Sequence, residues 1–343
     1  MEKSKRRVFS MGGDMRTKVA VLLSLCISQS AFAVVGGSST TLDNVIEAGY
    51  GCTGTVLGNK YIITARHCAN GGGDTVIIQN GVSLGVTDRY LPEPTPDDWG
   101  NVGISDVSIW KLKEPIVTRD IFYLSKNQPV VESNVTAYGY GGDRVLNSTT
   151  LKLTERSKEI ISMVELTPSL GYTEPGDSGG PILQNNLFIG INTNGIEDVD
   201  GLNKSSGYQL KPLSNFILTH INSWHYPTIA KFTGNKTITV QSLHVNDVAD
   251  SAYVDGDVAI TGGTCVGSSN IKPLDTCTYE IQSNGEEGHL YLTPDENILI
   301  NEQVKPTPEP QPQPETGSKS GGSFGYLGLL SLLILSFSRR NKR

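Results

Sequence analysis

The sequence has little charge, and little of that charge is basic. Only 18% of its 343 residues are Asp, Glu, Lys or Arg, and 28 bases face 35 acids, a formal charge of −7. This balance speaks against a nucleic-acid partner, which needs a basic surface to neutralise phosphates. Aromatics (7%) and methionines (4) are sparse too, whereas Gly (38), Thr, Asn and Val are frequent. That mixture favours strands and turns over coiled-coil helices. No metal-ligand cluster or calcium loop stands out, so neither a metal nor another cofactor is expected. At roughly 100 to 200 residues per domain the chain suffices for two folded units, which excludes a peptide hormone or a wholly disordered chain.

Long apolar runs are missing except for two short ones at the ends. Residues 1–33 carry Lys3, Lys5, Arg6, Arg7, Arg16 and Lys18, then the run Val19 to Ile27, then Ala31-Phe32-Ala33. A basic start, a short apolar middle and an A-x-A site mark a secretory signal peptide cleaved after Ala33. At the other end Pro306, Pro308, Pro310, Pro312 and Pro314 alternate with polar residues, so residues 303–323 read as a stiff linker. Residues 324–343 follow, apolar from Phe324 to Ser338 and ending Arg339-Arg340-Asn341-Lys342-Arg343. As a helix the apolar part would span roughly 22 Å against a ~30 Å hydrocarbon core, with its basic end cytoplasmic. Without the six Lys/Arg and two Asp/Glu of residues 1–33 and the four bases of the tail, 18 bases stand against 33 acids. The working protein then carries a charge of −15.

Cysteines are also few. Cys26 leaves with the signal peptide; Cys52, Cys68, Cys265 and Cys277 allow three pairings in an exported chain. The two local pairings, 16 and 12 residues apart, are the natural choice.

Between Val34 and about Ile229, short apolar stretches alternate with turn residues. Gly54 to Leu57, Tyr61 to Ala65, Thr75 to Gln79, Val107 to Leu112, Val135 to Tyr140, Pro181 to Leu183 and Leu187 to Ile191 predict an all-β sandwich or barrel. One helix is expected last, capped by Ser214 or Asn215, with Phe216, Ile217, His220, Ile221 and Trp224 on one face.

Three motifs carry chemistry. Thr64-Ala65-Arg66-His67-Cys68 ends a strand on a histidine; Asp106-Val107-Ser108-Ile109-Trp110 opens one with an acid; Gly176-Asp177-Ser178-Gly179-Gly180-Pro181 sets a serine among glycines. A serine hydroxyl is a weak nucleophile at neutral pH and needs an imidazole to take its proton, and the imidazole needs a carboxylate to hold its tautomer. Glycines let substrate and oxyanion approach the backbone closely.

The order His67, Asp106, Ser178 in a β-rich chain resembles the chymotrypsin/trypsin-like serine proteases, from Val34 to the end of the helix. The resemblance implies a two-barrel protease domain with a C-terminal helix over residues 34–229, acting on proteins or peptides. Ser178 would be the nucleophile, His67 the general base and acid, Asp106 the orienting carboxylate, and the N–H groups of Gly176 and Ser178 the oxyanion hole. Val34-Val35-Gly36-Gly37 resembles the family's activation sequence, which implies that the α-amino group of Val34 pairs with Asp177. Cys52–Cys68 matches the disulfide that ties the histidine loop to its neighbouring strand. In the specificity pocket the resemblance places Tyr172 six residues before the nucleophile, the Thr193 hydroxyl near Asp106, and Gly195 leaving the entrance open. An aromatic at Tyr172 argues against a charge-matched pocket for Lys or Arg. Two departures stand out. Arg66 replaces a usual small alanine, and the intervals of 33, 39 and 72 residues from Val34 through His67 and Asp106 to Ser178 are short.

Gly321-Gly322 before the apolar tail resembles the GlyGly-CTERM sorting signals of Gram-negative bacteria. That implies export machinery, a rhomboid-type processing protease, transient anchoring by the tail, and a secreted or cell-surface product. Residues 230–302 hold further strand patterns around Thr237 to Val240, Val258 to Thr261, Thr278 to Ile281, His289 to Leu292 and Ile298 to Ile300. With Cys265 and Cys277 flanking a turn-rich loop, a small immunoglobulin-like β-sandwich is expected. His244 and His289 stand alone there, without a catalytic or metal-binding set. Two functions follow: a secreted serine endopeptidase, or a protease-shaped binding protein or adhesin.

Overall fold

A computed structural model describes residues 34–49, 51–71, 74–96, 102–167, 171–196 and 202–303. The signal segment, the linker beyond Gln303 and the apolar tail lie outside the described residues. Among the described residues no helix is long and apolar enough to cross a membrane.

The first six-stranded barrel closes in the order Val45–Ala48, Cys52–Leu57, Tyr61–Thr64, Ser108–Leu112, Ser83–Tyr90, Thr75–Ile77. Its apolar stretches meet in a core containing Ile46, Leu57, Ile62, Ile63, Ile109, Trp110 and Leu112, all fully buried. Each such side chain contributes about 1.5–3 kcal/mol on leaving water. Trp110 satisfies its indole N–H on Ser108 Oγ at 2.9 Å, which lets a large ring sit in the core without an orphaned donor. Thr64 pairs with Ser108 in register. Residues just after Thr64 and just before Ser108 therefore emerge at the same end of the barrel, and these are His67 and Asp106.

The second barrel runs Asn147–Arg156, Ser133–Gly139, Pro181–Gln184, Leu187–Ile196, Lys204–Gln209, Ile160–Glu165 and closes by pairing of Asn147–Arg156 with Ile160–Glu165; Ser38–Ser39 adds to Asn147–Arg156. Several of these strands lacked an apolar signature. In Asn147–Arg156 the inward residues are Asn147, Thr149, Leu151 and Leu153, so half of the buried face is polar.

The helix spans Ser214–Ile221 and buries Ile217, Leu218 and Ile221. It differs from expectation at both ends. Ser214 Oγ turns back to the Lys211 carbonyl (2.7 Å) and caps nothing. Asn222 stops the helix in the left-handed conformation, φ 42°, so Trp224 belongs to a strand, Trp224–His225. Strands of the C-terminal sheets thus begin before residue 230.

Those sheets number two, each of four strands. One runs Trp224–His225, Gly234–Ser242, Thr276–Ser283, Ala259–Gly262; the other runs Ile229–Ala230, Glu296–Ile300, Gly288–Thr293, Tyr253–Gly256, its first pair parallel. Ile238, Val240, Tyr279, Ile281, Leu290, Leu292, Ile298 and Ile300 from both sheets share one core with the Cys265–Cys277 disulfide. This unit grips the connector between the barrels. Thr228 Oγ1 accepts the Thr118 N–H (2.8 Å), Tyr123 Oη donates to the Thr239 carbonyl (2.7 Å), and Gln241 pairs with both backbone groups of Leu124 (2.9 Å each). His225, fully buried, accepts the Gly58 N–H on Nδ1 and meets the Phe122 carbonyl through Nε2, both at 3.2 Å. Burial pushes its pKa down to about 4, so it sits there as the neutral Nε2–H tautomer.

Candidate active site

His67 lies in a 3₁₀ turn, Arg66–Gly71, that follows the strand Tyr61–Thr64. The Cys52–Cys68 disulfide fastens this turn to the strand Cys52–Leu57. Asp106 holds the histidine twice: Oδ1 accepts its backbone N–H at 2.8 Å and Oδ2 meets ring Nδ1 at 2.7 Å. Nδ1 therefore carries the proton, and the lone pair of Nε2 is left for another partner. The hydrogen bond to Asp106 raises the His67 pKa above 6.5, against an opposing effect of partial burial. With side-chain exposures of 45% and 25%, the pair opens to solvent and to substrate.

Ser178 stands on the loop entering Pro181–Gln184 and lines the same cavity, of about 590 Å³, as His67 and Asp106. Its hydroxyl donates to the Thr193 carbonyl at 3.3 Å, a long hydrogen bond. Gly176 has φ +109°, and a Cβ there would lie 2.6 Å from the Gly141 carbonyl group; only glycine fits. Among the described residues neither the Gly176 nor the Ser178 N–H is taken by a backbone carbonyl.

Behind the loop, Asp177 is 0% exposed. Oδ1 accepts the Gly141 N–H (3.0 Å), Oδ2 the Glu174 N–H (2.8 Å), and the Val34 N–H is a further partner. Burial pushes the Asp177 pKa up to about 7 against those donors. Val34 is equally buried and has φ 44°, a strained conformation for a β-branched residue.

The chain between residues 32 and 215 matches the family model described as Trypsin, more than half of the sequence. The chain belongs to the trypsin family. An uncharacterized peptidase of Corynebacterium glutamicum is 25% identical over 266 residues, covering 68% of this chain and 86% of its own. Among solved structures, the VesB protease of Vibrio cholerae is 15% identical, covers 78% of this chain and 97% of its own, and has a TM-score of 0.43. The inactivated protease paralogue S-I1 of the scabies mite is 19% identical over 54% of this chain and 98% of its own, with a TM-score of 0.44. At such scores the family assignment rests on the sequence match.

The geometry bears on three pocket expectations from the trypsin-family resemblance. The Thr193 hydroxyl donates to the Ser206 carbonyl at 3.3 Å, and Thr193 and Asp106 line the same cavity. The pairing of Leu187–Ile196 with Lys204–Gln209 shifts register between Asn192 and Asn194, and this bulge re-aims Thr193. Tyr172 does not line the cavity; it pairs with Val35 and donates its N–H to the Val35 carbonyl at 3.1 Å. Gly195 lines the cavity, and a Cβ there would lie 2.1 Å from the Thr173 carbonyl oxygen.

Two residues of the site carried no sequence signal. The Tyr208 phenol lines the cavity and is hydrogen-bonded by the backbone of Asp106, with burial raising its pKa. Thr53, fully buried, gives its N–H to the Ser178 carbonyl (2.8 Å) and its hydroxyl to the Gly176 carbonyl (2.9 Å). Both depend on contacts between distant segments. The sulfurs of Cys52 and Cys68 lie within 4.8 Å of a His67 nitrogen, but the disulfide leaves no thiolate to ligate a metal.

Proposed function

We propose that this chain is a serine endopeptidase in which Ser178, His67 and Asp106 form the catalytic triad. The observation that carries the reading is the doubly held His67–Asp106 pair facing a cavity shared with Ser178. Ser178 Oγ attacks the substrate carbonyl carbon as its proton passes to His67 Nε2, giving a tetrahedral oxyanion held by the N–H groups of Gly176 and Ser178. Collapse breaks the C–N bond; the proton on Nε2 goes to the leaving amine and an acyl-enzyme remains. A water then gives a proton to Nε2, attacks the acyl carbon and releases the acid, returning the proton to Ser178. Loss of one oxyanion donor typically costs about 2.7–4 kcal/mol of transition-state stabilisation. Asp106 keeps the ring tautomer and stabilises the imidazolium.

The test is labelling of the secreted protein by a fluorophosphonate probe. Labelling that vanishes in Ser178→Ala supports the reading. A folded wild type that stays unlabelled favours the protease-shaped binding protein instead.

Maturation belongs to the same proposal. Residues 1–33 act as an export signal, and cleavage after Ala33 frees the α-amino group of Val34 to pair with the buried Asp177 carboxylate. The buried contact between Val34 and Asp177 supports this, as does the strained φ of Val34. That strain arises largely against the carbonyl of the preceding residue, so removing residue 33 relieves it. Residues 324–343 serve as a GlyGly-CTERM-type sorting tail cut by a rhomboid-type protease, giving a secreted or cell-surface enzyme. The C-terminal sheets serve as an immunoglobulin-like accessory sandwich.

A further inference from the structure

In this chain the wall of the pocket beside Ser178 is closed. A methyl group set on Gly195 would lie 2.1 Å from the Thr173 carbonyl oxygen, so segments 193–195 and 171–174 touch main chain to main chain. Thr173 is 2% exposed and pinned: its N–H and its hydroxyl both donate to Ser205 Oγ, at 3.2 and 2.8 Å. Ser205 is the cross-strand partner of Gly195, so one residue meets both sides of the seam, Thr173 through its hydroxyl and Gly195 through strand pairing. Beyond it, the Tyr172 backbone pairs with Val35. Among the described residues the cavity at Ser178 therefore meets a shelf at Gly195, and Glu174 lines the same cavity.

We propose that the enzyme cuts after residues with short, uncharged side chains, namely Gly, Ala or Ser, with the Thr173–Ser205–Gly195 seam as the specificity determinant. The proposal rests on the serine-protease reading above. A Leu, Phe, Lys or Arg side chain finds no slot between the two segments and lies over the shelf in water, forfeiting the burial that would favour its transition state. Asp or Glu meets the Glu174 carboxylate, a like charge at short range.

The experiment uses the mature secreted protein and peptide amides identical except for the residue before the scissile bond. The expected result is a kcat/KM for Ala roughly 100-fold above that for Phe, Leu, Lys or Arg. Turnover of any of these four at or above the rate for Ala overturns the proposal. Fluorophosphonate labelling of the same preparation separates the two readings: a labelled protein that prefers large residues sinks the seam alone, and an unlabelled one sinks the protease reading with it. Ser205→Ala removes the acceptor that pins Thr173 and is expected to reduce the Ala-to-Leu ratio about tenfold. An unchanged ratio overturns the role given to Ser205.

Discussion

The hydroxyl of Thr53, in the first barrel, donates to the carbonyl of Gly176, on the loop of the second barrel 123 residues later, at 2.9 Å. The same oxygen accepts the Tyr140 N–H at 2.9 Å, so one buried side chain ties the barrels together beside Ser178. Thr53→Val keeps the shape and leaves both backbone groups unpaired. We expect kcat to fall roughly tenfold, about 1.4 kcal/mol, with KM little changed, and Thr53→Ser to restore it. Steady-state kinetics beside thermal unfolding check this. Equal losses in Val and Ser variants would show that the methyl group, not the hydroxyl, matters.

On the proposed mechanism Asp106 sets the acid limb of the activity. Its hydrogen bond holds the His67 pKa above 6.5, and catalysis needs the neutral ring, so activity declines as pH falls through that raised value. Asp106→Asn is expected to move the limb downward and to lower kcat by about 10⁴-fold. The pH dependence of kcat/KM reads both effects.

The uncleaved chain and the mature chain should differ in their response to pH. Folded, Asp177 keeps its proton to about pH 7, whereas in the unfolded chain it gives it up near the ordinary 3.8. The folded uncleaved chain binds more protons across that interval, so its stability decreases as pH rises from about 4 to 7. A free Val34 ammonium facing the carboxylate removes the effect in the mature chain. Unfolding midpoints of an uncleavable Ala33 variant and of the mature chain, taken from pH 4 to 8, test it; parallel curves would refute the pairing.

His225 carries the opposite sign. Its pKa is held down at about 4 from an ordinary 6.5, so the unfolded chain takes up protons first as the solution is acidified. Its contribution is complete above about pH 6.5 and is lost as pH falls toward 4. In the mature protein His225→Phe should flatten that part of the stability profile. It should also destabilise at pH 8, since the Gly58 N–H and Phe122 carbonyl each lose a partner at about 1–3 kcal/mol. Calorimetry of both proteins over this range decides the matter.

The candidate residues His67, Asp106 and Ser178 could be picked out because the proposed chemistry restricts residue type: an imidazole after a strand, a carboxylate before one, a serine between glycines. The all-β architecture was legible wherever inward positions are apolar, as in Tyr61–Thr64 or Ser108–Leu112. It was hidden in Asn147–Arg156, whose buried face includes Asn and Thr. The end of the helix at Ile221 depended on the left-handed turn at Asn222, a residue with no neighbouring Gly or Pro to announce it. Thr53, Tyr208 and the Thr173–Ser205 seam were out of reach, because each acts through a partner 32 to 123 residues away or, for Tyr208, on another barrel.

The grip of the C-terminal sheets on the connector also sets a timetable. Synthesis completes both barrels by about residue 209 and the helix by Ile221. Thr228, Thr239 and Gln241, which hold Thr118, Tyr123 and Leu124, emerge only afterwards. A nascent chain thus possesses His67, Asp106 and Ser178 before it possesses the contacts that hold the connector between the barrels. On the proposed function, a chain interrupted before Gln241 is expected to lack this hold on residues 118–124.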